Sequence, residues 1–263
     1  MKYSKELQNK IIAYYEKYYK KDCNLKDYKE RALQRLEEEC FKSKRMEHLQ
    51  KIFRLDFHKN QKHFFVGAGT GGGAIVLFKE YDCDVYGIEP SEEGIEIIQG
   101  KCREVGINHN NFKQGFGENI SFPDNYFDVV HCFTVLEHVQ DVEKTIQEMI
   151  RVTKPGGIIN INTSNRWFPA ERHYKILFPT FLPKQFGYFC LFLLGKSHQF
   201  LKTINFLSEK KLNRIFYRQK NICWYRVYET SLKEGKGFRL AFLNFLKFNL
   251  CIYPNQEIVI QKL

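Results

Sequence analysis

Two stretches near the start of the chain place apolar residues at helical spacing. Residues 5–21 carry apolar and aromatic side chains every three or four positions, and residues 27–53 repeat the pattern. The spacing predicts helices that each bury one face. We therefore expect a helical N-terminal cap over residues 1–62, followed by a larger domain over residues 63–263.

From residue 63 onward, short apolar runs alternate with helical patterns. The runs are residues 64–66, 84–88, 127–133 and 157–163, and a weaker run lies at 111–116. Helical patterns follow the first three of these runs, so the alternation predicts βαβ units and a parallel sheet in an α/β fold. Two later runs, at 221–229 and 256–263, predict an antiparallel pair that closes the sheet.

Residues 164–207 interrupt this alternation and are rich in Phe, Leu, Tyr and Lys. We expect an insertion there, before a helix that Ser208 caps. Its most apolar part, 178–196, has an uninterrupted apolar stretch of about ten residues, whereas a bilayer-spanning helix needs about 20. Three interpretations stay open: a lid over a substrate pocket, a surface that contacts anionic lipid through neighbouring lysines, and ordinary core or a dimer contact. The lysines are Lys184, Lys196, Lys202, Lys210 and Lys211.

The formal net charge of +11 is unevenly distributed. Residues 1–62 and 164–250 are basic, whereas residues 63–163 are acidic, so different parts of the chain are expected to face different partners. A lysine-rich composition without any binding role is an equal alternative. No helix-turn-helix, zinc-finger or aromatic RNA-binding signature occurs, so nucleic acid is the less favoured partner.

The eight cysteines form no CxxC pair, and we expect reduced, buried thiols and no metal site. The chain starts with charged residues where a signal peptide would be apolar. The expected location is therefore cytoplasmic, with peripheral contact at the inner face of a membrane as an extension of the lipid interpretation.

A glycine-rich loop at residues 66–73 connects a predicted strand to a predicted helix. Glycines allow a tight turn and close approach of a ligand, and the helix start offers unpaired N–H groups. A dinucleotide site, a phosphate site and a plain turn all fit this loop. Glu89 follows the second strand about 20 residues later, where a carboxylate can accept hydrogen bonds from both ribose hydroxyls. A solvated carboxylate at the strand end is the alternative.

Three later segments distinguish a methyltransferase from a dinucleotide-dependent dehydrogenase. The run at 117–130, the LEHV turn at 136–139 and the RVTKPGG turn at 151–157 resemble the type 11 branch of class I S-adenosylmethionine-dependent methyltransferases. The resemblance covers residues 63–163, in order and at the expected spacing. It implies a Rossmann-like, seven-stranded, mostly parallel sheet with an antiparallel last strand, and S-adenosylmethionine as the cofactor.

The resemblance also implies a cofactor site at the ends of the first, second and fourth strands. The methionine end of the cofactor is expected over the glycine loop, the ribose at the acid, the adenine near the start of the 117–130 run, and the pocket wall at the end of the fourth strand. The loop residues are Gly67, Ala68, Gly69 and Gly71, and the acid is Glu89, with Pro90 next to it. Gly117 and Glu118 are expected near the adenine, and Phe133 and Thr134 in the pocket wall.

Two positions depart from the family pattern. Phe65 stands where the family usually has an acid two residues before the first loop glycine, and Phe116 replaces an acid just before Gly117. The first acid orients the amino-acid end of the cofactor and the second contacts the adenine amino group. The loss of these acids leaves three interpretations open: weaker binding of the cofactor, a replacement contact from Glu118 or a backbone group, and a partner protein that binds the cofactor without catalysis.

Methyl transfer from a sulfonium is an in-line displacement in which the protein mostly positions the acceptor. A hydroxyl acceptor also needs a base, for which His138 and His173 are our candidates, although a structural role fits each of them. His131, inside a predicted strand, is expected to pack in the fold. We expect O-methylation of a small-molecule or lipid-linked hydroxyl on a sugar, phenol or glycan.

The alternative is a nucleic-acid methyltransferase. The N-methylating relatives of that class carry an Asn/Asp-Pro-Pro-aromatic turn after the fourth strand, and residues 133–136 do not match it.

Overall fold

The computed structural model describes residues 3–171, 176–177, 182–196, 199–227, 245 and 253–263. Its elements between residues 5 and 53 are all helical. The elements are α1 (Lys5–Lys17), which a π-helical turn (Tyr18–Asp22) extends, α2 (Tyr28–Gln34), a 3-10 turn (Arg35–Glu37) and α3 (Glu38–Phe53). The predicted helix over 27–53 is therefore divided at the 3-10 turn. The break follows from a tertiary contact that the pattern does not encode: the Arg35 guanidinium reaches back to α1 and its extension, 2.8 Å from the Tyr19 hydroxyl and over the Tyr15 ring.

The α/β part follows the predicted alternation. Its first half comprises β1 (Lys62–Val66), α4 (Gly72–Tyr81), β2 (Asp84–Glu89), α5 (Glu92–Val105) and β3 (Phe112–Gln114). Its second half comprises β4 (Phe127–Phe133), α6 (Val142–Val152) and β5 (Thr153–Ser164). Helix α6 starts at Val142, because the Asp141 side chain accepts from the Lys144 amide and caps it there.

The insertion contains a two-stranded ribbon and two short helices. These are β6 (Ala170–Glu171) with β7 (Ile176–Leu177), α7 (Lys184–Leu193) and α8 (Gln199–Thr203). Helix α9 (Glu209–Arg218) follows, and the Ser208 side chain caps it as predicted, accepting from the Lys211 amide. The chain then forms β8 (Ile222–Val227) and β9 (Asn255–Lys262). Within the ranges described, no helix is long and apolar enough to cross a membrane.

The seven main strands form one sheet in the order β3-β2-β1-β4-β5-β9-β8. β1 to β5 run parallel, whereas β9 pairs antiparallel with both β5 and β8. The predicted seven-stranded sheet with an antiparallel last strand is therefore confirmed. Strand order reverses between β1 and β4, and ligands of such sheets bind at the carboxyl ends of the strands beside this switch point.

Helices cover both faces of the sheet. Alternate side chains of β1 point to opposite faces, with Phe64 in a core that α6 and α9 complete and Phe65 in a core shared with α3 and α4. Helix α3 thus belongs to the layer that packs on the sheet, while α1 and α2 form a third cluster against Ile97 of α5.

Candidate cofactor and acceptor site

The glycine loop joins β1 to α4 at the switch point of the sheet. Gly67, Gly69 and Gly71 have φ of +69°, +59° and +82°, the left-handed region that favours glycine. A Cβ on Gly67 or Gly71 would collide with a neighbouring side chain, but one on Gly69 would meet nothing within 4 Å. The loop is therefore packed at both ends and open at its centre, where a ligand can approach the backbone. Ala68 lies between the first two glycines, and its amide donates to the carbonyl of Ile88 at the end of β2 (2.9 Å).

Glu89, at the end of β2, reaches the middle of this loop. Its carboxylate accepts from the Gly69 amide (2.8 Å) and from the Ser91 amide (3.2 Å). Burial raises the pKa of Glu89, and the two amides oppose that effect by stabilising its anion. Each oxygen keeps a lone pair, so a pair of ligand hydroxyls has acceptors beside the open glycine. Pro90 follows directly, and its carbonyl accepts from the Gln114 side chain at 3.0 Å.

Gly117 and Glu118 lie in the segment between β3 and β4. A Cβ on Gly117 would lie 2.7 Å from the Thr145 methyl, so the segment packs against α6 only with glycine there. The Glu118 carboxylate accepts from the backbone amides of Gln140 and Asp141, at 2.7 and 3.2 Å. Glu118 therefore holds the turn before α6. Phe116, where the family has an acid, is 58% exposed and offers no carboxylate.

The end of β4 is the predicted wall of the cofactor pocket. Thr134 has φ of +57°, which is strained for a β-branched residue, and strained backbone of this kind concentrates at functional sites. Its amide donates to the Asn162 carbonyl (2.7 Å) on β5, which helps to hold the turn. The Arg45 guanidinium of α3 lies over the Phe133 ring, 5.1 Å from its centroid, so the cap helix covers this wall.

The position that departs from the family pattern has become part of the core. Phe65 is 6% exposed and stacks on His131 with ring centroids 4.7 Å apart. Met46 of α3 packs beside it, as both lie against Gly73 at the start of α4. An acid at position 65 would lie unpaired among these apolar groups, so helix α3 and Phe65 form one packing unit. His131 is buried, as predicted.

A buried charge network connects the cap to the glycine loop. Glu38, at the start of α3, accepts from the Thr70 hydroxyl (2.5 Å), and Tyr15 donates to the same hydroxyl (2.9 Å). Lys101 of α5 is fully buried and lies 2.8 Å from Glu39 and 3.5 Å from Glu38. Burial acts against ionisation of Glu38, but Lys101 and the other cations around it keep its pKa below the ordinary value.

A cavity of about 180 Å³ lies between α3 and the start of β9, next to the wall that Arg45 covers. Arg45 donates hydrogen bonds from its two terminal nitrogens, Nη1 and Nη2, to the Glu257 carboxylate at 2.8 and 2.6 Å, and the Asn162 side chain donates to the same carboxylate. His48 and Tyr253 also line the cavity. Sequence reasoning missed Arg45 as a site residue, although the spacing of Glu38, Lys42 and Arg45 already places these charges on one helix face.

The two catalytic candidates have different outcomes. His138 is exposed on the turn after β4, where its amide donates to the Val135 carbonyl (2.7 Å). His173 lies outside the described residues. Glu137, beside His138, is buried, and its carboxylate accepts from the Thr163 hydroxyl at 2.7 Å. Among the described residues, no group of three or more His, Cys, Asp or Glu side chains is arranged to hold a metal ion.

Comparison with known proteins assigns the region that contains this site. Residues 65–161 match the model of a family described as a methyltransferase domain. Around this region, the chain is similar to ajmaline N-methyltransferase of Rauvolfia serpentina, with 38% identity over 113 residues, 42% of this chain and 39% of that protein. It is also similar to demethylmenaquinone methyltransferase of Geobacillus stearothermophilus, with 31% identity over 149 residues, 56% of this chain and 62% of that protein.

The chain spans less than two thirds of the length of either curated relative. A crystal structure described as a putative S-adenosyl-L-methionine-dependent methyltransferase from Methanococcus maripaludis superposes with a TM-score of 0.55 at 15% identity. The superposition covers 100% of this chain and 96% of that one. The chain therefore has the Rossmann-like class I fold that the sequence predicts.

Proposed function

We propose that this chain is an S-adenosylmethionine-dependent methyltransferase that acts on a small-molecule or lipid-linked acceptor. The observation that carries the proposal is the contact between Glu89 and Gly69 inside the methyltransferase domain. It joins a carboxylate suited to ribose hydroxyls to a loop whose centre is open to a ligand.

The residues at the edge of the sheet fit this cofactor, with one exception. Glu89 offers acceptors for the ribose, the open backbone at Gly69 admits a ligand, and Phe133 supplies an apolar wall. The exception is the buried Phe65, which offers no partner to the ammonium group of the cofactor. When bound, the cofactor supplies an activated methyl group, and the chain orients it toward the acceptor and excludes water.

Calorimetric titration of the full chain with S-adenosylmethionine tests the cofactor assignment. We expect micromolar binding, weakened at least ~10-fold in Glu89→Ala because two charge-assisted hydrogen bonds are lost. Glu92→Ala is the matched control, since this exposed glutamate lies three residues away in the first turn of α5. Absence of binding by the wild type at millimolar cofactor would overturn the proposal. Binding without transfer to any acceptor would instead favour a non-catalytic partner protein.

We propose O-methylation of a hydroxyl, with His138 or His173 as the base. The relatives include an N-methyltransferase and a demethylmenaquinone methyltransferase, so acceptor chemistry varies around this domain. Support for His138 is its exposure on the turn directly after the strained Thr134. With an identified hydroxyl acceptor, His138→Ala or His173→Ala should lower kcat by at least ~100-fold, and His109→Ala should not. Normal rates in both variants would exclude this base.

We propose in addition that helix α7 contacts an anionic membrane surface and delivers an apolar acceptor. Phe189, Phe192 and Leu193 of α7 are 57%, 76% and 65% exposed, whereas Leu191 packs against Leu201 of α8. The helix begins at Lys184 and Lys196 follows it, so cations flank the apolar face.

Liposome flotation tests this surface. Vesicles with anionic lipid should float the protein at low salt and release it at high salt, because screening removes the lysine attraction. A triple variant, Phe189→Ser, Phe192→Ser and Leu193→Ser, should stay at the bottom. Phe41→Ser is the control, since it removes a phenylalanine of α3 that is 60% exposed. Failure of the wild type to float at low salt would refute membrane contact.

A further inference from the structure

One face of helix α3 carries three charged side chains between the glycine loop and the end of β4. Glu38, Lys42 and Arg45 are spaced four and three residues apart, which aligns them along one side of the helix. Glu38 contacts Thr70 of the glycine loop, and Arg45 covers Phe133 at the end of β4. Lys42 lies between them on the same side of the helix, along the stretch of α3 that runs from the glycine loop to the end of β4.

The charged groups around Lys42 are mostly cations. Burial and the cations Arg35, Arg45 and Lys101 lower the pKa of Lys42, and Glu38 alone opposes them. The Glu38 carboxylate is already bonded to Thr70 and shared with Lys101 and Arg35. In the part of the chain that the structure describes, no carboxylate lies within ion-pair distance of the Lys42 ammonium group. Lys42 is partly exposed, so a ligand can reach it.

The amino-acid end of S-adenosylmethionine carries one ammonium and one carboxylate group. The acid that the family uses for the ammonium is absent, because Phe65 occupies that position and is buried under α3. The Glu38 carboxylate, which contacts the loop at Thr70, is already shared with cations of the chain. Lys42, on the face of α3 that carries Glu38 and Arg45, is a cation without an ion pair among the described residues, and a cation is complementary to the carboxylate.

We propose that Lys42 binds the methionine carboxylate of the cofactor and positions its methyl group for transfer. In this arrangement the cap helix replaces, with a lysine on the carboxylate, the anchor that the family's acid provides on the ammonium. The assignment rests on the proposed function, and Lys42 acts as a positioning residue.

Titration calorimetry with two probes isolates this contact. S-adenosylhomocysteine carries the amino-acid end, whereas 5′-methylthioadenosine lacks it and keeps the adenosine. We expect Lys42→Met to weaken S-adenosylhomocysteine binding ~10- to 100-fold, the range of a hydrogen bond to a charged group, and to change methylthioadenosine binding less than ~2-fold. Lys42→Arg should restore part of the loss. Lys44→Met, which removes an exposed lysine of the same helix, should bind both probes as the wild type does.

The outcomes separate this assignment from the proposed function. Equal weakening of both probes in Lys42→Met would show a structural role for the lysine and overturn the proposal. Unchanged binding of S-adenosylhomocysteine would overturn it as well. If the wild type binds neither probe, the cofactor assignment itself fails, and the role of Lys42 fails with it.

Discussion

The buried histidine pair His63 and His131 makes the stability of this fold sensitive to acid. His63 Nε2 lies 2.9 Å from the Gln61 side-chain oxygen, so it carries the proton and donates. His63 Nδ1 is then an acceptor for the Nε2–H of His131, also at 2.9 Å. His131 Nδ1 has no hydrogen-bond partner among the described residues. Both rings are therefore neutral, and each is fully buried.

The pKa shifts give the magnitude. Burial lowers the pKa of His63 to about 3 from the ordinary 6.5, although Asp128 acts in the opposite direction. Burial, together with His63 and Arg45, also lowers the pKa of His131. Below pH 6.5 each histidine binds a proton in the unfolded chain but not in the folded one, so the free energy of unfolding falls by about 1.4 kcal/mol per pH unit for each. His63 alone thus removes about 2 kcal/mol between pH 6.5 and pH 5.

Urea denaturation at half-unit steps from pH 7.5 to pH 4.5 measures this effect. In the double variant His63→Phe, His131→Phe, the free energy of unfolding should fall less steeply with decreasing pH below pH 6.5. The slope should be smaller than in the wild type by up to about 2.7 kcal/mol per pH unit, because neither histidine is left to bind a proton. His58→Gln is the control, and the wild-type slope should persist because solvent surrounds this exposed residue before and after unfolding. An identical pH dependence in the wild type and the double variant would refute the neutral, buried pair.

Three further predictions concern packing and backbone strain. Gly117→Ala should lower the free energy of unfolding by about 1–3 kcal/mol, because the added methyl group meets Thr145; thermal denaturation would show it, and an unchanged Tm would contradict the packing. Lys101→Met should cost about 3–5 kcal/mol in urea denaturation, because it removes the buried cation that lies 2.8 Å from Glu39 and 3.5 Å from Glu38. Thr134→Gly should raise stability by about 0.5–1 kcal/mol through relief of its positive φ, and a loss of stability would argue against strain there.

Much of the fold was readable from local patterns. The alternation of apolar runs and helical patterns predicted the parallel strands, because a strand buried on both faces needs a continuous apolar run. The capping role of Ser208 and the antiparallel closing strand were also predicted correctly. The glycines were assigned to a ligand loop, and the positive φ of Gly69 with open space beside it agrees with that interpretation. The roles of the cofactor residues stay predictions until binding is measured.

The rest depended on contacts between distant parts of the chain. No local pattern indicated that the 3-10 turn at Arg35–Glu37 would divide a predicted helix, since the partners of Arg35 lie one helix earlier. The sequence marked Phe65 as the loss of an acid, and only packing showed that α3 and His131 occupy the position that the acid would need. The sequence by itself determined which residues form strands, turns and the glycine loop, because backbone preferences and apolar periodicity act over a few residues. Tertiary structure decided which charges surround the loop, since Glu38, Lys42 and Arg45 gain their partners only when α3 packs across the carboxyl edge of the sheet.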